Sequence, residues 1–376
     1  MKVNPFLTVG YISSEYFCDR EKELSDLEKF AKSQNNVTLI SPRRLGKTGL
    51  ILRLFDELKK EGDYYTLFVD IFSTRNLEEF IKTLAEAILR EFPEKTSIGK
   101  MFWNFIKGLR PIISLDNITG SPQVEITYQM ESEKEHTLYS ILQFLEQQEK
   151  PIIVAIDEFQ QIRDYPQKNI EALLRTNIQQ LRNITFIFSG SKRSIMTDIF
   201  FNAKNPFYRS TSFLNLEKIE LKKYADFIRN HFERNEYIID NQHIDLILEL
   251  TQGYTFYTQS LCKKVFNTGE KQISVELIEN AMNELLNENS PYFLQLRELL
   301  TSAQWNYLIA VAKEKKVEQP TAQQFLMKHK IGTAANSRRL MKALTEKELI
   351  LETLHLQGKY YQIYDVFFHH WLRENY

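Results

Sequence analysis

The sequence predicts an α/β fold: a parallel β-sheet with helices on both faces, followed by an all-helical domain and a small C-terminal module. Three observations predict it. Over roughly the first 210 residues, short β-branched or aromatic runs alternate with helical patterns. From about Phe213 onward the strands stop and amphipathic helices take over. After "NENSPYF" three helical patterns are followed by two alternating runs, the order of a winged helix. With 376 residues, 43% hydrophobic and 26% charged, the chain is long enough for two or three domains.

The elements follow in order. "VTLIS" (Val37 to Ser41) is a β-branched run ending at Pro42, and Leu50, Ile51, Leu54 and Leu58 then repeat at helical spacing. "YYTLFVDIF" (Tyr64 to Phe72) is a second buried strand, and a helical pattern runs from Leu77 to Phe92. Pro93 to about Ser132 is an excursion: an aromatic helix, "GKMFWNFIKGL", then "PIISL" and "QVEITYQM" joined by "DNITGSP", whose Asn, Gly and Pro favour a turn. We read it as a β-hairpin insertion elaborating the sheet's edge. "PIIVAIDEF" is a third strand ending at Asp157, and "ITFIFSGS" (Ile184 to Ser191) is a fourth. Leu221 to Leu286 reads as several helices, with Gly253 as a helix stop. The expected domains are therefore 1–212 with the insertion at 93–132, 213–290, and 291–376.

The chemistry concentrates in "NVTLISPRRLGKTGLILRLF" (Asn36 to Phe55). It matches the phosphate-loop pattern G-x-x-x-x-G-K-S/T except that Ser41 holds the first glycine position. In such a loop the backbone of Ser41, Pro42, Arg43, Arg44, Leu45, Gly46, Lys47, Thr48 and Gly49 wraps the β-phosphate, donating through its N–H groups at every position but Pro42, which has none. Lysine reaches the β- and γ-phosphates, and the hydroxyl after it ligates Mg²⁺. Lys47 and Thr48 fit those roles, and Lys47 is expected to face solvent. A side chain at Ser41 costs about 1 kcal/mol if that position needs positive φ, which weakens such a site without abolishing it. Arg43 and Arg44 are either phosphate contacts or solvated side chains, the second being favoured.

The second motif stands far away in sequence. "IIVAIDEF" delivers Asp157 and then Glu158 at the end of an apolar strand, where an aspartate holds Mg²⁺ and a glutamate polarises the attacking water. The strand Tyr64 to Phe72 intervenes between loop strand and carboxylate strand, as in P-loop ATPases with an added strand and a catalytic glutamate, and disfavours small-molecule kinases. Ser189, at the end of the fourth strand, is the natural sensor of γ-phosphate or water; Ser191 and a plain turn are the alternatives.

Composition excludes several classes. Lys and Arg (48) nearly balance Asp and Glu (49), so no protein-wide field draws the chain to nucleic acid or membrane. Cys18 and Cys262 are the only cysteines, which excludes a disulfide framework and a cysteine-rich zinc site. His369 and His370 read as surface or core residues. The start "MKVNPFLTVG" has no basic region followed by an apolar run, and no apolar run approaches membrane-spanning length. A cytoplasmic protein is expected.

"YFCDREKELSDL", "SPRRLGKTGL", "IIVAIDEFQQI", "FIFSGS" and "NPFYRST" resemble, in order and spacing, the archaeal-type AAA-like ATPases related to the STAND class, over nearly the whole chain. The resemblance implies a P-loop NTPase sheet, an all-α lid and a winged helix, with ATP or ADP and Mg²⁺ bound. Its "F-x-G-R-E-x-E-L" segment packs beside adenine; Tyr16, Phe17, Arg20 and Glu21 take those places, with Asp19 where glycine is usual. Thr255 in "TQGYTFYTQSL" stands where the lid has proline. Arg209 matches an arginine that neutralises the γ-phosphate, a structural salt bridge being the alternative.

Such proteins are similar in using nucleotide exchange and hydrolysis to reset a conformational switch. That implies an unidentified protein partner and a nucleotide-dependent oligomer. The alternatives are a nucleotide-sensing regulator that binds duplex DNA with little turnover, and an interaction scaffold retaining ADP. Pro291 to Tyr376 carries 12 Lys or Arg against 8 Asp or Glu, a net of +4 against −5 elsewhere. Arg338, Arg339 and Lys342 sit on the candidate recognition helix. An internal packing role for this module is favoured over DNA reading.

Overall fold

A computed structural model describes residues 4–108, 112–115, 122–125, 128, 130–355 and 358–376. The chain forms two compact units, one of Val9–Lys218 and one of Met1–Thr8 with Ile219–Tyr376.

In the Val9–Lys218 unit, α1 (Glu21–Lys32) leads into β1 (Val37–Ile40), α2 (Lys47–Glu61), β2 (Tyr65–Asp70), α3 (Leu77–Glu91) and α4 (Ser97–Lys107). A hairpin of β3 (Ile112–Leu115) and β4 (Pro122–Glu125) comes next, then α5 (Glu131–Glu146) and β5 (Ile152–Asp157). A 3-10 helix (Phe159–Asp164), α6 (Ile170–Ile178), β6 (Ile184–Gly190), α7 (Arg193–Phe201) and β7 (Ser212–Asn215) complete it. The strands β2-β5-β6-β1-β7 form one sheet whose ladders are all parallel. β1, β5 and β6 are buried along their whole length, as strands covered by helices on both faces must be. This is why they read in sequence as largely apolar runs.

Two expectations about the sheet need correction. β2 intervenes between loop strand and carboxylate strand only in sequence; in the sheet the strand between β1 and β5 is β6, and β2 is an edge. The strands also do not stop at Phe213, because β7 pairs with β1 from Val37↔Ser212 to Ile40↔Asn215. β7 is a four-residue edge strand with only Leu214 buried, so it carries no apolar run to announce it. The hairpin β3–β4 is antiparallel and forms its own two-stranded sheet against α3. The turn expected in "DNITGSP" falls at 116–121, outside the described residues.

In the other unit, α8 (Leu221–Arg234), α9 (Asn241–Leu250), α10 (Thr255–Asn267) and α11 (Val275–Glu298) are followed by α12 (Ser302–Glu314), α13 (Gln323–Lys328) and α14 (Ala334–Glu346). The hairpin β8 (Ile350–His355) and β9 (Gly358–Ile363) then leads to α15 (Val366–Asn375). Gly253 closes α9 as expected, at φ 65° with its N–H on Leu248 O. The change of pattern read at "NENSPYF" falls within one helix, since α11 runs through Pro291 without interruption. α15, which sequence patterning did not single out, packs on α11 and α12. His369 is core, and burial pushes its imidazole down to about 3; the His370 ring meets Leu250 O at 2.8 Å. No helix among the described residues is long and apolar enough to cross a membrane.

Candidate functional site

Parallel strands place the loops that follow them at one edge of the sheet, and β1, β2, β5 and β6 each deliver a polar residue there. The loop after β1 turns into α2 through Gly46, at φ 91°. Ser41 keeps a negative φ; the strained residue of this loop is Arg44, at φ 70°. The expected cost at Ser41 is therefore absent, and about 1 kcal/mol of backbone strain falls on Arg44 instead. The Ser41 hydroxyl donates to Pro42 O at 2.9 Å.

Lys47 is not solvent-facing as the sequence suggested. It is 7% exposed, and burial lowers its pKa while Asp157 and Glu158 act to raise it. An ammonium so desolvated beside two carboxylates is a pre-positioned counter-charge for a polyanion. Next to it, Thr48 Oγ1 donates to Asp157 Oδ2 at 2.7 Å. This hydrogen bond joins the two motifs read separately in sequence, across 109 positions.

Glu158 has φ 55°, left-handed for a non-glycine residue, a conformation costing about 1–2 kcal/mol. Phe159 behind it is fully buried and lies 4.6 Å from the Phe188 ring, so the core holds the strained turn. Asp157 Oδ1 accepts from the Glu158 backbone N–H at 3.0 Å. The Glu158 carboxylate is itself gripped: Ser191 Oγ donates to Oε2 at 2.8 Å, and Gln160 Nε2 donates to the same oxygen. Arg43 Nε in turn reaches Ser191 Oγ at 3.4 Å. Ser191 rather than Ser189 thus meets Glu158, and the Ser189 hydroxyl is buried without a partner.

Arg20 braces the loop. Its guanidinium donates to Leu45 O at 3.3 Å and to Glu217 O at 2.5 Å, and pairs with Glu23 at 2.8 Å. Asp19, where the resemblance has glycine, adopts φ 55°, a conformation that glycine takes without strain. Phe17 lies against the first turn of α2, where a Cβ on Gly49 would come 3.0 Å from its ring, and the Arg53 guanidinium stands 5.2 Å over that ring. Arg209 is not brought to this cluster. It precedes β7 at the end of the sheet opposite the loop, its N–H bonded to Phe200 O and its guanidinium 5.3 Å over Tyr208.

Sequence reasoning missed two residues here. Gln160 lies two positions beyond Glu158 on the 3-10 helix; it stands within "IIVAIDEFQQI", a motif that assigns it no role of its own. Asp70 ends β2 opposite Asp157. Open to solvent on one side, its carboxyl is raised by partial desolvation on the other, with Asp157 and Glu158 adding to the rise.

The donors fit Mg-nucleotide. Among the described residues no group of three or more His, Cys, Asp or Glu is arranged to hold a metal. One hydroxyl, one carboxylate and a buried lysine are instead the set that leaves Mg²⁺ its waters and phosphate oxygens.

Comparison with known proteins agrees with this fold. Residues 17–260 match the family described as an ATPase domain predominantly from Archaea, and residues 291–374 match a family described as a probable winged helix domain. No curated protein matches the chain. Among solved structures it is similar to the Walker-type ATPase PABY2304 of Pyrococcus abyssi (18% identity, 98% of this chain and 99% of that chain covered, TM-score 0.68). It is also similar to the Aeropyrum pernix ORC2 protein in ADPNP-ADP complexes (15% identity, 99% and 98% covered, TM-score 0.60). A third likeness is to the Aeropyrum pernix ORC1 protein in complex with DNA (13% identity, 96% and 93% covered, TM-score 0.53). At these identities the likeness concerns the fold.

Proposed function

The chain belongs to the ATPase family found predominantly in Archaea, and from that premise we propose that it is an Mg-dependent ATP-hydrolysing switch of the STAND or AAA-like kind. The single observation carrying this reading is the Thr48–Asp157 hydrogen bond beside a buried Lys47, with Glu158 adjacent on the same strand end. In this reading the backbone from Ser41 to Gly49 and the Lys47 ammonium hold the phosphates, while Thr48 and Asp157 hold Mg²⁺. Phe17 lies beside the base, and Arg20 holds the loop in shape. When bound, Mg²⁺ neutralises charge on the β- and γ-oxygens. Glu158 orients a water for attack on the γ-phosphorus and takes its proton as the new P–O bond forms and the bond to ADP breaks.

The division into sheet domain, helical lid and winged helix, a cytoplasmic location, and a nucleotide-dependent oligomer or protein partner belong to the same proposal. So does the coupling, in which hydrolysis in the unit Val9–Lys218 biases the rest of the chain.

The test is wild type against Glu158→Gln. The variant keeps shape and hydrogen-bonding reach but loses the base, so ATP should bind and persist, read by chromatography of bound nucleotide after incubation with Mg-ATP. Hydrolysis by Glu158→Gln at the wild-type rate would remove Glu158 from catalysis. Absence of turnover in wild type with candidate partners present would favour an ADP-retaining scaffold.

A second reading, a nucleotide-sensing DNA-binding regulator, is favoured by the exposure of Arg338, Arg339 and Lys342 on α14. Arg338→Ala with Lys342→Ala should then weaken duplex binding and flatten its salt dependence. No duplex binding by wild type at low salt leaves the winged helix as a packing module.

A further inference from the structure

The Glu158 carboxylate is restrained in a way that stability does not account for. Both side-chain donors reach one oxygen, Oε2, and among the described residues no side-chain hydrogen bond is made to Oε1. Gln160 is 4% exposed, and while its Nε2 donates to Glu158, its Oε1 is buried with no partner. A buried amide with one unmet acceptor is a net cost that an apolar side chain of equal length would remove. The packing around this amide is also tight. A Cβ at Gly190 would collide with Gln160 Oε1 and come 2.5 Å from Met196 Sδ, although Gly190 is not in the left-handed region. A side chain at Gly190 would therefore have to displace both the Gln160 amide and the Met196 thioether.

We propose that Gln160 is a positioning residue for the water-orienting carboxylate: packed against Gly190, it fixes Glu158 Oε2 so that Oε1 is presented to the attacking water. The inference rests on Glu158 acting as proposed above. The left-handed turn at Glu158 aims the side chain, Ser191 and Gln160 remove its remaining rotational freedom, and the orphaned amide oxygen is the local cost of that precision.

The experiment uses the full chain and three readouts: the single-turnover rate with Mg-ATP, affinity for a non-hydrolysable ATP analogue, and melting temperature. Gln160→Met keeps length and volume while removing both the donor and the orphaned acceptor. Gly190→Ala moves the amide without touching it. Both variants are expected to slow single turnover by about tenfold to a hundredfold, the usual cost of a misplaced catalytic group, with analogue affinity unchanged. The melting temperature of Gln160→Met should equal or exceed that of wild type. Wild-type turnover by Gln160→Met, or a fall in analogue affinity and melting temperature that parallels the fall in rate, would overturn the proposal. Glu158→Gln, run alongside, separates the two readings: if it too hydrolyses at the wild-type rate, the role of Glu158 fails; if it is inactive while Gln160→Met is not, only the role of Gln160 fails.

Discussion

Thr48 Oγ1 donates a 2.7 Å hydrogen bond to Asp157 Oδ2, so the hydroxyl that follows the loop lysine and the carboxylate that ends β5 already stand at the spacing two ligands of one small cation require. A hydroxyl and a carboxylate share the cation's demand unequally, since the carboxylate also supplies charge.

Asp157→Asn is therefore expected to weaken nucleotide binding in the presence of Mg²⁺ far more than in EDTA. Thr48→Val should do the same to a smaller degree, with the Asp157 charge retained. Calorimetric titration with and without metal checks both. Equal losses in the two conditions would mean that neither side chain serves the metal.

The two serines at the end of β6 should part company. Ser191 donates to Glu158 at 2.8 Å, so Ser191→Ala is expected to lower turnover while sparing nucleotide affinity. Ser189 carries a buried hydroxyl without a partner, and Ser189→Ala should leave the rate unchanged and raise stability by up to about 1 kcal/mol, the desolvation cost removed. Chemical denaturation beside single-turnover kinetics separates these outcomes.

Lys47→Met retains the buried stem and removes the ammonium. The substitution should lower ATP affinity by at least about 100-fold, the scale on which a desolvated phosphate site depends on a charge-assisted hydrogen bond. The circular dichroism spectrum should be unaltered. Retained affinity would unseat the phosphate-loop assignment.

His369 gives the unit Ile219–Tyr376 an acid-sensitive element. Burial, with His370, Arg373 and Lys315 adding repulsion, lowers its folded-state pKa to about 3, against about 6.5 in an unfolded chain. Between those values the unfolded chain binds the extra proton, so stability falls as pH drops below about 6.5 and is fully present above it. The melting temperature should decline from pH 6.5 toward pH 4, and His369→Phe should flatten that slope. An identical slope in the variant would place the titrating group elsewhere.

The parallel sheet and the chemistry at its edge are legible in the sequence. β1, β5 and β6 are covered on both faces and so are largely apolar, and Lys47, Thr48, Asp157 and Glu158 stand at or soon after the ends of β1 and β5. What depended on a neighbour distant in sequence was not legible. β7 is defined by pairing with β1 rather than by its own composition. The strand between β1 and β5 is β6, because order in a sheet is a matter of crossovers that local pattern does not encode. α11 continues through Pro291, although the sequence pattern changes there. Tertiary structure likewise put Ser191 instead of Ser189 on Glu158, took Arg209 to the opposite end of the sheet, and moved the loop's strain from Ser41 to Arg44. Each of these turns on where a side chain or backbone torsion points. Packing settles that at a cost of about 1 kcal/mol, too small to leave a signature in local residue choice.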